Sequence, residues 1–531
     1  MQHAGAGVRV NIGRAGAILL ACSAMFGLAP AASAQRSADM QASGEMSPEI
    51  AAFARQLRRE ADGDLAQFYA RRGYWPLWVQ NGEIGPAADA LIEYLDTARI
   101  DDLSPRRYAP VGLSQLIARA RENGSVADLA RAETRLSRAF VDYANDLASE
   151  SGEITYFDDA VKPQSRSANE ILSRAAAAGD LADYVGRMGW MHPDYAALRQ
   201  ALGESTGRSF NQVVVLNGPL MREGDQSLRV RILRRRLGLS AGDVFDSEVQ
   251  AALAAFQRSR GLTADGVLGP QTVAALNSSA RRQNPATLRR NLRRARELPS
   301  ADTRHIVVNA ATQTLTYYGD GEAQGSMKVV VGTAETPTPM MAGMLHYATL
   351  NPYWNVPVSL VQKTIAPAVL RGISLDDMGY EVLSDWTADA RKLNWRDVDW
   401  RGAAAGSTEL RVRELPGSGN AMGSVKYMFP NDLGIYLHDT DNRALFGRDE
   451  RYFSNGCVRL SDAEALGDWM FGNMPATRSD EPEQHVPLPQ PIPVYITYMT
   501  ATPEAGGAIA YHDDAYGRDR GMARIASANR D

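Results

Sequence analysis

Two side chains in this sequence have the types and spacing for acyl-transfer chemistry, His438 and Cys457, 19 residues apart. His438 closes the apolar run Ile435-Tyr436-Leu437 and is followed by Asp439-Thr440. Cys457 lies in Phe453-Ser454-Asn455-Gly456-Cys457-Val458-Arg459-Leu460. A thiol attacks as its thiolate, and a free cysteine at neutral pH is mostly protonated. A neighbouring imidazole can take that proton and pass it to a leaving amine, so a Cys–His pair suits acyl transfer through a thioester. Gly456 lets backbone N–H groups approach a developing oxyanion with no Cβ in the way. A helix starting near Ser461-Asp462-Ala463-Glu464, with capping-box spacing between Ser461 and Glu464, would add weak positive potential beside the thiol. From residue types alone, an inert cysteine beside a structural histidine remains an equal alternative. A metal pair is the weaker one, because one Cys with scattered His lacks the spacing of a zinc site.

The cysteine count sharpens the question. Arg9 and Arg14, the apolar stretch from Ala15 to about Leu28 and the small-x-small site Ala32-Ser33-Ala34 have the layout of a secretory signal peptide, with Gln35 starting the mature chain. Of the two cysteines, Cys22 falls inside this segment and Cys457 alone remains. Exported proteins usually pair their cysteines or lack them. A single leftover thiol is therefore either reactive or buried and inert. An uncleaved membrane anchor and a lipidated Cys22 are the alternatives to cleavage. The apolar run is shorter than the roughly 18 residues that a spanning helix requires. Removing Arg9 and Arg14 takes the formal charge from −5 to −7. No basic domain asks for nucleic acid as a partner.

The elements that must position this pair begin at His305. His305–Asn309, Thr314–Tyr318 and Met327–Val331 are short β-branched or aromatic runs between Gly, Asp and Asn turns, and they predict strands. Met344–Leu350 and Val494–Met499 add two more. A stretch of about 365–410, carrying Tyr380, Trp386, Trp395 and Trp400, interrupts them; it reads as helical and, being too long for a hairpin loop, as a lid. Residues 47–207 read as mostly helical, with turns at Asp62-Gly63, Asn81-Gly82 and Asn123-Gly124 and a polar loop over 147–168. The aromatic cluster Phe68, Tyr69, Tyr74, Trp75 and Trp78 reads as core. Arg281–Leu298 carries seven arginines and reads as a solvated helix linking domains, with contact to an anionic glycan or membrane surface as the alternative.

Residues 226–277 make a compact unit of three short helices. Val249, Phe256-Gln257, Gly261-Leu262, Asp265-Gly266, Gly269, Thr272 and Ala275-Leu276-Asn277 give it a resemblance to the peptidoglycan-binding module. Most of these are core and turn positions, so they speak for the fold and leave glycan binding by this copy open.

His438-Asp439-Thr440 followed by Ser454-Asn455-Gly456-Cys457-Val458-Arg459 resembles the signature of the YkuD-type L,D-transpeptidases. Gly332, Thr336-Pro337-Thr338-Pro339, Asn351 to Pro357, Pro416-Gly417, Asn420-Ala421-Met422-Gly423, Val425-Lys426-Tyr427 and Phe429-Pro430-Asn431 extend the likeness to the large, lid-bearing subtype. The resemblance implies a multidomain α+β chain: signal 1–34, helical scaffold 35–215, peptidoglycan-binding module 216–280, basic linker 281–302, catalytic domain 303–500 and a tail 501–531. It implies Cys457 as nucleophile and His438 as base. The Asp439 carbonyl orients the imidazole, and the Gly456 and Cys457 N–H groups form the oxyanion hole. Ser454 and Arg459 support the turn and the substrate. Tyr353, Trp354, Asn355, Tyr427 and Asn455 are its substrate-binding candidates. Asn455 stands where many relatives carry histidine, so no second proton shuttle is expected there. His305, His346 and His485 match no catalytic position.

The implied reaction is 3→3 cross-linking of peptidoglycan, from a tetrapeptide donor to a diaminopimelate acceptor, without metal or organic cofactor. The implied setting is the periplasm, against the cell wall, with peripheral membrane contact and other cell-wall enzymes as further partners. Hydrolysis by the same pair, attachment of an envelope protein, and a non-catalytic wall-binding scaffold are the competing functions.

Overall fold

The computed structural model describes residues 47–207, 219–237, 239, 242–259, 262–281, 285–417, 419–477, 480–504 and 508–519. The signal segment with Cys22, Gly261, Arg282 and the end of the tail lie outside them. The chain forms two compact units, Met1–Ala51 and Ala52–Asp531; of the first, only the opening of the helix Pro48–Glu60 is described. All that follows concerns the second, which mixes helices with one large sheet.

The helical region is organised by Val126–Leu147, a 22-residue helix whose N-cap Ser125 accepts from the Asp128 N–H. Leu129, Leu136, Phe140, Tyr143 and Leu147 recur along one face and are buried. Phe68, Tyr69 and Trp78 pack there and are buried, so these three of the aromatic cluster are core, while Tyr74 and Trp75 are half-buried at its edge. A buried carboxylate fixes it: Glu133 accepts the Leu77, Trp78 and Val79 N–H groups and the Tyr69 hydroxyl. These three N–H groups enter a short hairpin, β1 (Val79–Gln80) and β2 (Glu83–Ile84), which turns through Asn81-Gly82 with both residues at positive φ.

The three-helix unit, Leu228–Arg236, Ser247–Ser259 and Pro270–Arg281, has its own core of Val230, Leu233, Phe245, Val249, Leu253, Leu268, Val273 and Leu276. Its motif residues brace the turn. The Gln257 amide donates to Asp265 and Thr272 and accepts the Gly266 N–H, where φ is +68°.

The remaining strands are β3 (Thr155–Tyr156), β4 (His305–Asn309), β5 (Thr314–Gly319), β6 (Glu322–Gly332), β7 (Met341–Leu350), β8 (Trp354–Asn355), β9 (Tyr380–Leu383), β10 (Arg411–Glu414), β11 (Val425–Met428), β12 (Leu437–His438), β13 (Tyr452–Ser454), β14 (Val458–Leu460), β15 (Gln484–Thr497), β16 (Ala501–Pro503) and β17 (Ile509–Tyr511). The main sheet runs β11-β12-β14-β6-β5-β4-β15-β7-β3, and β11 also pairs with β7, so eight of its strands close into a ring. Closure leaves no free edge among these eight strands. All five residues of β4 are buried, as expected of a strand covered on both sides. β15 is longer than the sequence suggests because a register shift between Pro487 and Ile492 absorbs its prolines and lets pairing with β7 continue.

Three expectations are corrected. The 147–168 loop contains β3, which pairs in parallel with β7 and carries the helical region into the main sheet. Two paired residues are too few to show a period. The interruption of the sheet is not simply helical. β8, β10 and β9 form a separate three-stranded sheet, packed with Val358–Leu370 and Trp400–Ala405 around Val356, Val361, Ile365, Val382, Trp400 and Val412. This lid therefore starts before residue 365 and ends after 410. The arginine-rich helix, Pro285–Arg296, is not a solvated face. Arg294 is 1% exposed and donates to Glu153, Asp519 and the Tyr498 carbonyl, while Arg293 pairs with Asp102. Its charges are matched by acids far away in sequence, which local composition cannot reveal.

Candidate active site

β12 and β14 lie side by side and parallel, with His438 opposite Arg459 and the Val458 N–H donating to the Tyr436 carbonyl at 3.0 Å. Paired residues of neighbouring strands share a face, and so do residues two apart along one strand. His438 and Arg459 therefore face the same way, and Cys457, two residues before Arg459 as the chain enters β14, belongs to that face too. The register places Cys457 opposite Tyr436, so Cys457 and His438 are diagonal neighbours across a single strand gap.

His438 is buried, and its Nδ1 is 2.5 Å from the Asp439 carbonyl oxygen. That contact fixes the proton on Nδ1 and leaves Nε2 with its lone pair, the tautomer that a base requires. The Asp439 peptide is itself held. Its N–H donates to the Val425 carbonyl, its Oδ2 accepts from the Ser424 N–H and hydroxyl, and its Oδ1 accepts from Arg443. Gly423 makes room for this carboxylate. It adopts φ +61°, and a Cβ there would sit 2.3 Å from Asp439 Oδ2.

The turn carrying Cys457 is closed by Ser454, whose hydroxyl donates to the Cys457 carbonyl at 2.6 Å and accepts the Gly456 N–H at 3.1 Å. Gly456 adopts φ +117°, in the region that only glycine enters easily. The segment after β6 grips the turn from outside. Thr338 Oγ1 donates to the Gly456 carbonyl at 2.8 Å and accepts the Gly332 N–H at 2.8 Å, and the Thr333 N–H donates to the Ser454 carbonyl. At Gly332 a Cβ would fall 2.1 Å from the Thr336 carbonyl oxygen, so the segment can double back only over glycine.

Two expectations for this turn change. The Gly456 N–H is already spent on Ser454 and reaches an oxyanion only by sharing its hydrogen. The helix expected after the turn does begin there, as Ala463–Phe471, but β14 lies between it and the thiol, and its cap is Asp462, which accepts from the Ala465 N–H, and not Ser461. The helix dipole, which fades within a turn, does not act on the thiol.

The electrostatics describe a neutral resting pair. Burial pushes the Cys457 thiol up to about 11, against the opposing pull of the Tyr436 backbone and the Arg459 cation. Burial, reinforced by Arg459, pushes His438 down to about 3. Both effects disfavour the charged form, thiolate on one side and imidazolium on the other. The thiol donates to the Gly434 carbonyl at 3.4 Å, so its proton rests on the loop before β12 and not on the imidazole. Arg459 Nε is buried without a hydrogen-bond partner among the described residues, and it adjoins both members of the pair.

The substrate-binding candidates divide. Asn455 is exposed, two residues before Cys457. Tyr353, Trp354 and Asn355 run into the lid. Trp354 packs against the lid core, and Tyr353 lies under the Arg413 guanidinium, 3.7 Å from its ring centre. Tyr427 is not available to a substrate: it is fully buried on β11, and its hydroxyl donates to the Ala463 carbonyl at 2.5 Å. His305, stacked on Tyr318, and His485, against Thr349, lie away from the pair, as expected.

Ser424, Arg443, Gly434 and Thr338 belong to the site but were not singled out from the sequence. Gly423 and Thr338 do fall inside the matched motifs, which was the available signal. A cavity of about 410 Å3 opens on the Asp439 side, lined by Asn351, Ser424, Asp439, Thr440, Asp441 and Arg443 among others. Among the described residues, no group of three His, Cys, Asp or Glu side chains could hold a metal ion.

Residues 303–496 match the model of the L,D-transpeptidase catalytic domain (YkuD), residues 63–202 that of a scaffold domain, and residues 231–276 that of a putative peptidoglycan binding domain. A Haemophilus influenzae protein named "Putative L,D-transpeptidase" is 30% identical over 240 residues, 43% of this chain and 47% of its own length. The chain thus spans about half of that relative. Among solved structures, an L,D-transpeptidase from Xylanimonas cellulosilytica is 17% identical, with 53% of this chain and 99% of that chain covered and a TM-score of 0.16. L,D-transpeptidase 3 from Mycobacterium tuberculosis is 17% identical, with 37% and 61% covered and a TM-score of 0.20.

Proposed function

We propose, from the premise that residues 303–496 are an L,D-transpeptidase catalytic domain, that this chain is an exported peptidoglycan transpeptidase acting through Cys457 and His438. The observation that carries the reading is the shared face of β12 and β14. It offers a neutral imidazole with Nε2 unprotonated, a thiol diagonally across from it, and a guanidinium whose buried Nε has no hydrogen-bond partner among the described residues.

The donor is a tetrapeptide stem, cut between its third residue, a diaminopimelate, and the terminal D-Ala. His438 Nε2 takes the thiol proton as Cys457 Sγ attacks the diaminopimelate carbonyl, so no standing thiolate is required. The Cys457 N–H, with the Gly456 N–H shared from Ser454, stabilises the oxyanion. His438 then gives the proton to the departing D-Ala amine, and a thioester remains. Arg459 meets the negative charge, either the donor carboxylate or the oxyanion. The side-chain amine of a second diaminopimelate attacks the thioester, the C–S bond breaks, the amine proton returns to sulfur through His438, and a 3→3 cross-link is made. The lid excludes water, which would otherwise hydrolyse the thioester. The three-helix module raises the local concentration of substrate on the wall. Export is supported by the signal pattern of residues 1–34, outside the described structure.

The test is product analysis with a purified disaccharide-tetrapeptide. A cross-linked dimer lacking one D-Ala supports the reading. Trimmed monomer alone would convert it to hydrolysis, and unchanged substrate would refute it.

A further inference from the structure

After β17 the chain returns across the catalytic sheet as Asp513-Asp514-Ala515-Tyr516-Gly517-Arg518-Asp519. The segment is ordered by its own bonds. Asp514 accepts the Arg518 and Asp519 N–H groups at 2.8 and 2.9 Å. The Tyr516 ring stacks on Tyr498, with centroids 5.0 Å apart, and the Tyr516 N–H donates to the Tyr498 hydroxyl. Its far end is pinned by Arg294, which donates to Asp519 at 2.8 Å and also holds Glu153.

What this strap grips is the segment that grips the nucleophile. The Tyr516 hydroxyl donates to the Gly332 carbonyl at 2.6 Å and accepts the Thr338 N–H at 3.4 Å. Arg518 donates to the Thr338 carbonyl at 3.0 Å. Thr338, fully buried, donates its hydroxyl to the Gly456 carbonyl at 2.8 Å, one residue from Cys457. A continuous hydrogen-bonded path therefore runs from the strap through both ends of the Gly332–Thr338 loop to the peptide next to the sulfur.

We infer that Tyr516 and Arg518 are positioning residues, setting the Cys457 turn through Thr338. The inference rests on Cys457 being the nucleophile. A displacement of about 1 Å in a reacting group costs up to about a hundredfold in rate. Loss of the Tyr516 hydroxyl, with its ring stack kept, should thus slow acylation about tenfold to a hundredfold.

The experiment uses the mature chain as wild type, Tyr516→Phe, Thr338→Val and Thr338→Ser. It measures carbapenem acylation of Cys457 by intact mass, iodoacetamide alkylation of the same thiol, and thermal melting. The expected result is a fall in the maximal acylation rate, with the concentration for half-maximal rate unchanged, for Tyr516→Phe and Thr338→Val, rescue in Thr338→Ser, and unaltered melting of Tyr516→Phe. Acylation of Tyr516→Phe at the wild-type rate, or slowing that only tracks the unfolded fraction, would overturn it. If wild type itself is not acylated, the transpeptidase reading falls. The alkylation rates then decide the strap's role alone: a changed rate in Tyr516→Phe retains it, and an unchanged rate removes it.

Discussion

Varying pH separates the neutral Cys–His pair that burial favours from a preformed thiolate–imidazolium pair. Burial raises the Cys457 thiol from 9.0 to about 11. Well below both values, two units mean about a hundredfold less thiolate than an unperturbed cysteine has. A more basic thiolate is also more nucleophilic, which recovers roughly eightfold. Iodoacetamide, which reports on thiolate, should therefore alkylate Cys457 about tenfold more slowly than a free thiol at pH 7. Its rate should climb about tenfold per pH unit from pH 6 towards 10, because deprotonation proceeds as pH rises towards the thiol's own value. Carbapenem acylation should behave differently. His438, pushed down to about 3, stays unprotonated at pH 5–9, and the thiol stays protonated, so the reacting pair does not change over that range. Acylation should be flat there, and His438→Ala should lower it about 10²–10⁴-fold and give it the slope seen with iodoacetamide. The assay is intact-mass kinetics in buffers of constant ionic strength. An alkylation rate already level between pH 5 and 8 would mean a standing thiolate and would refute the neutral-pair argument.

Three further outcomes follow from the packing. Gly423→Ala should destabilise the chain by about 2 kcal/mol and slow acylation, since the new Cβ meets the Asp439 carboxylate that fixes the His438 carbonyl partner; urea unfolding and acylation rate check the two parts. Tyr427→Phe should cost about 1–2 kcal/mol, from the orphaned Ala463 carbonyl, yet leave the half-saturating tetrapeptide concentration within about twofold, as befits a core residue. Arg294→Met should cost about 3 kcal/mol in urea unfolding, because Glu153, Asp519 and the Tyr498 carbonyl all lose their donor.

That His438 and Cys457 meet across neighbouring strands was legible through the motif resemblance, because residue types alone left an inert cysteine beside a structural histidine equally open; strands β4, β5 and β6 announce themselves by composition. What escaped detection shares one property: its partners are distant in chain order. Arg294 looks solvated until Glu153 and Asp519 are brought beside it. β3 shows no period in two residues, and its identity as a strand comes wholly from β7. Tyr427 sits inside a matched motif, which made it look functional, whereas its place on β11 turns the ring into the core. The oxyanion assignment for Gly456 failed to foresee that Ser454 would take the same N–H, since the φ of +117° that creates this contact is not written in residue type. The extent of the lid was misjudged because β8 and β10 pair across 57 intervening residues or more, beyond the reach of any periodicity.

The central claim, that the reaction passes through an acyl group on one sulfur, is open to direct observation. Protein mixed with a disaccharide-tetrapeptide and quenched in acid within the first turnover should gain the mass of the donor less D-Ala, on the peptide containing Cys457, and Cys457→Ala should gain nothing and release no D-Ala. An adduct on another residue, or D-Ala release that persists in Cys457→Ala, would contradict it.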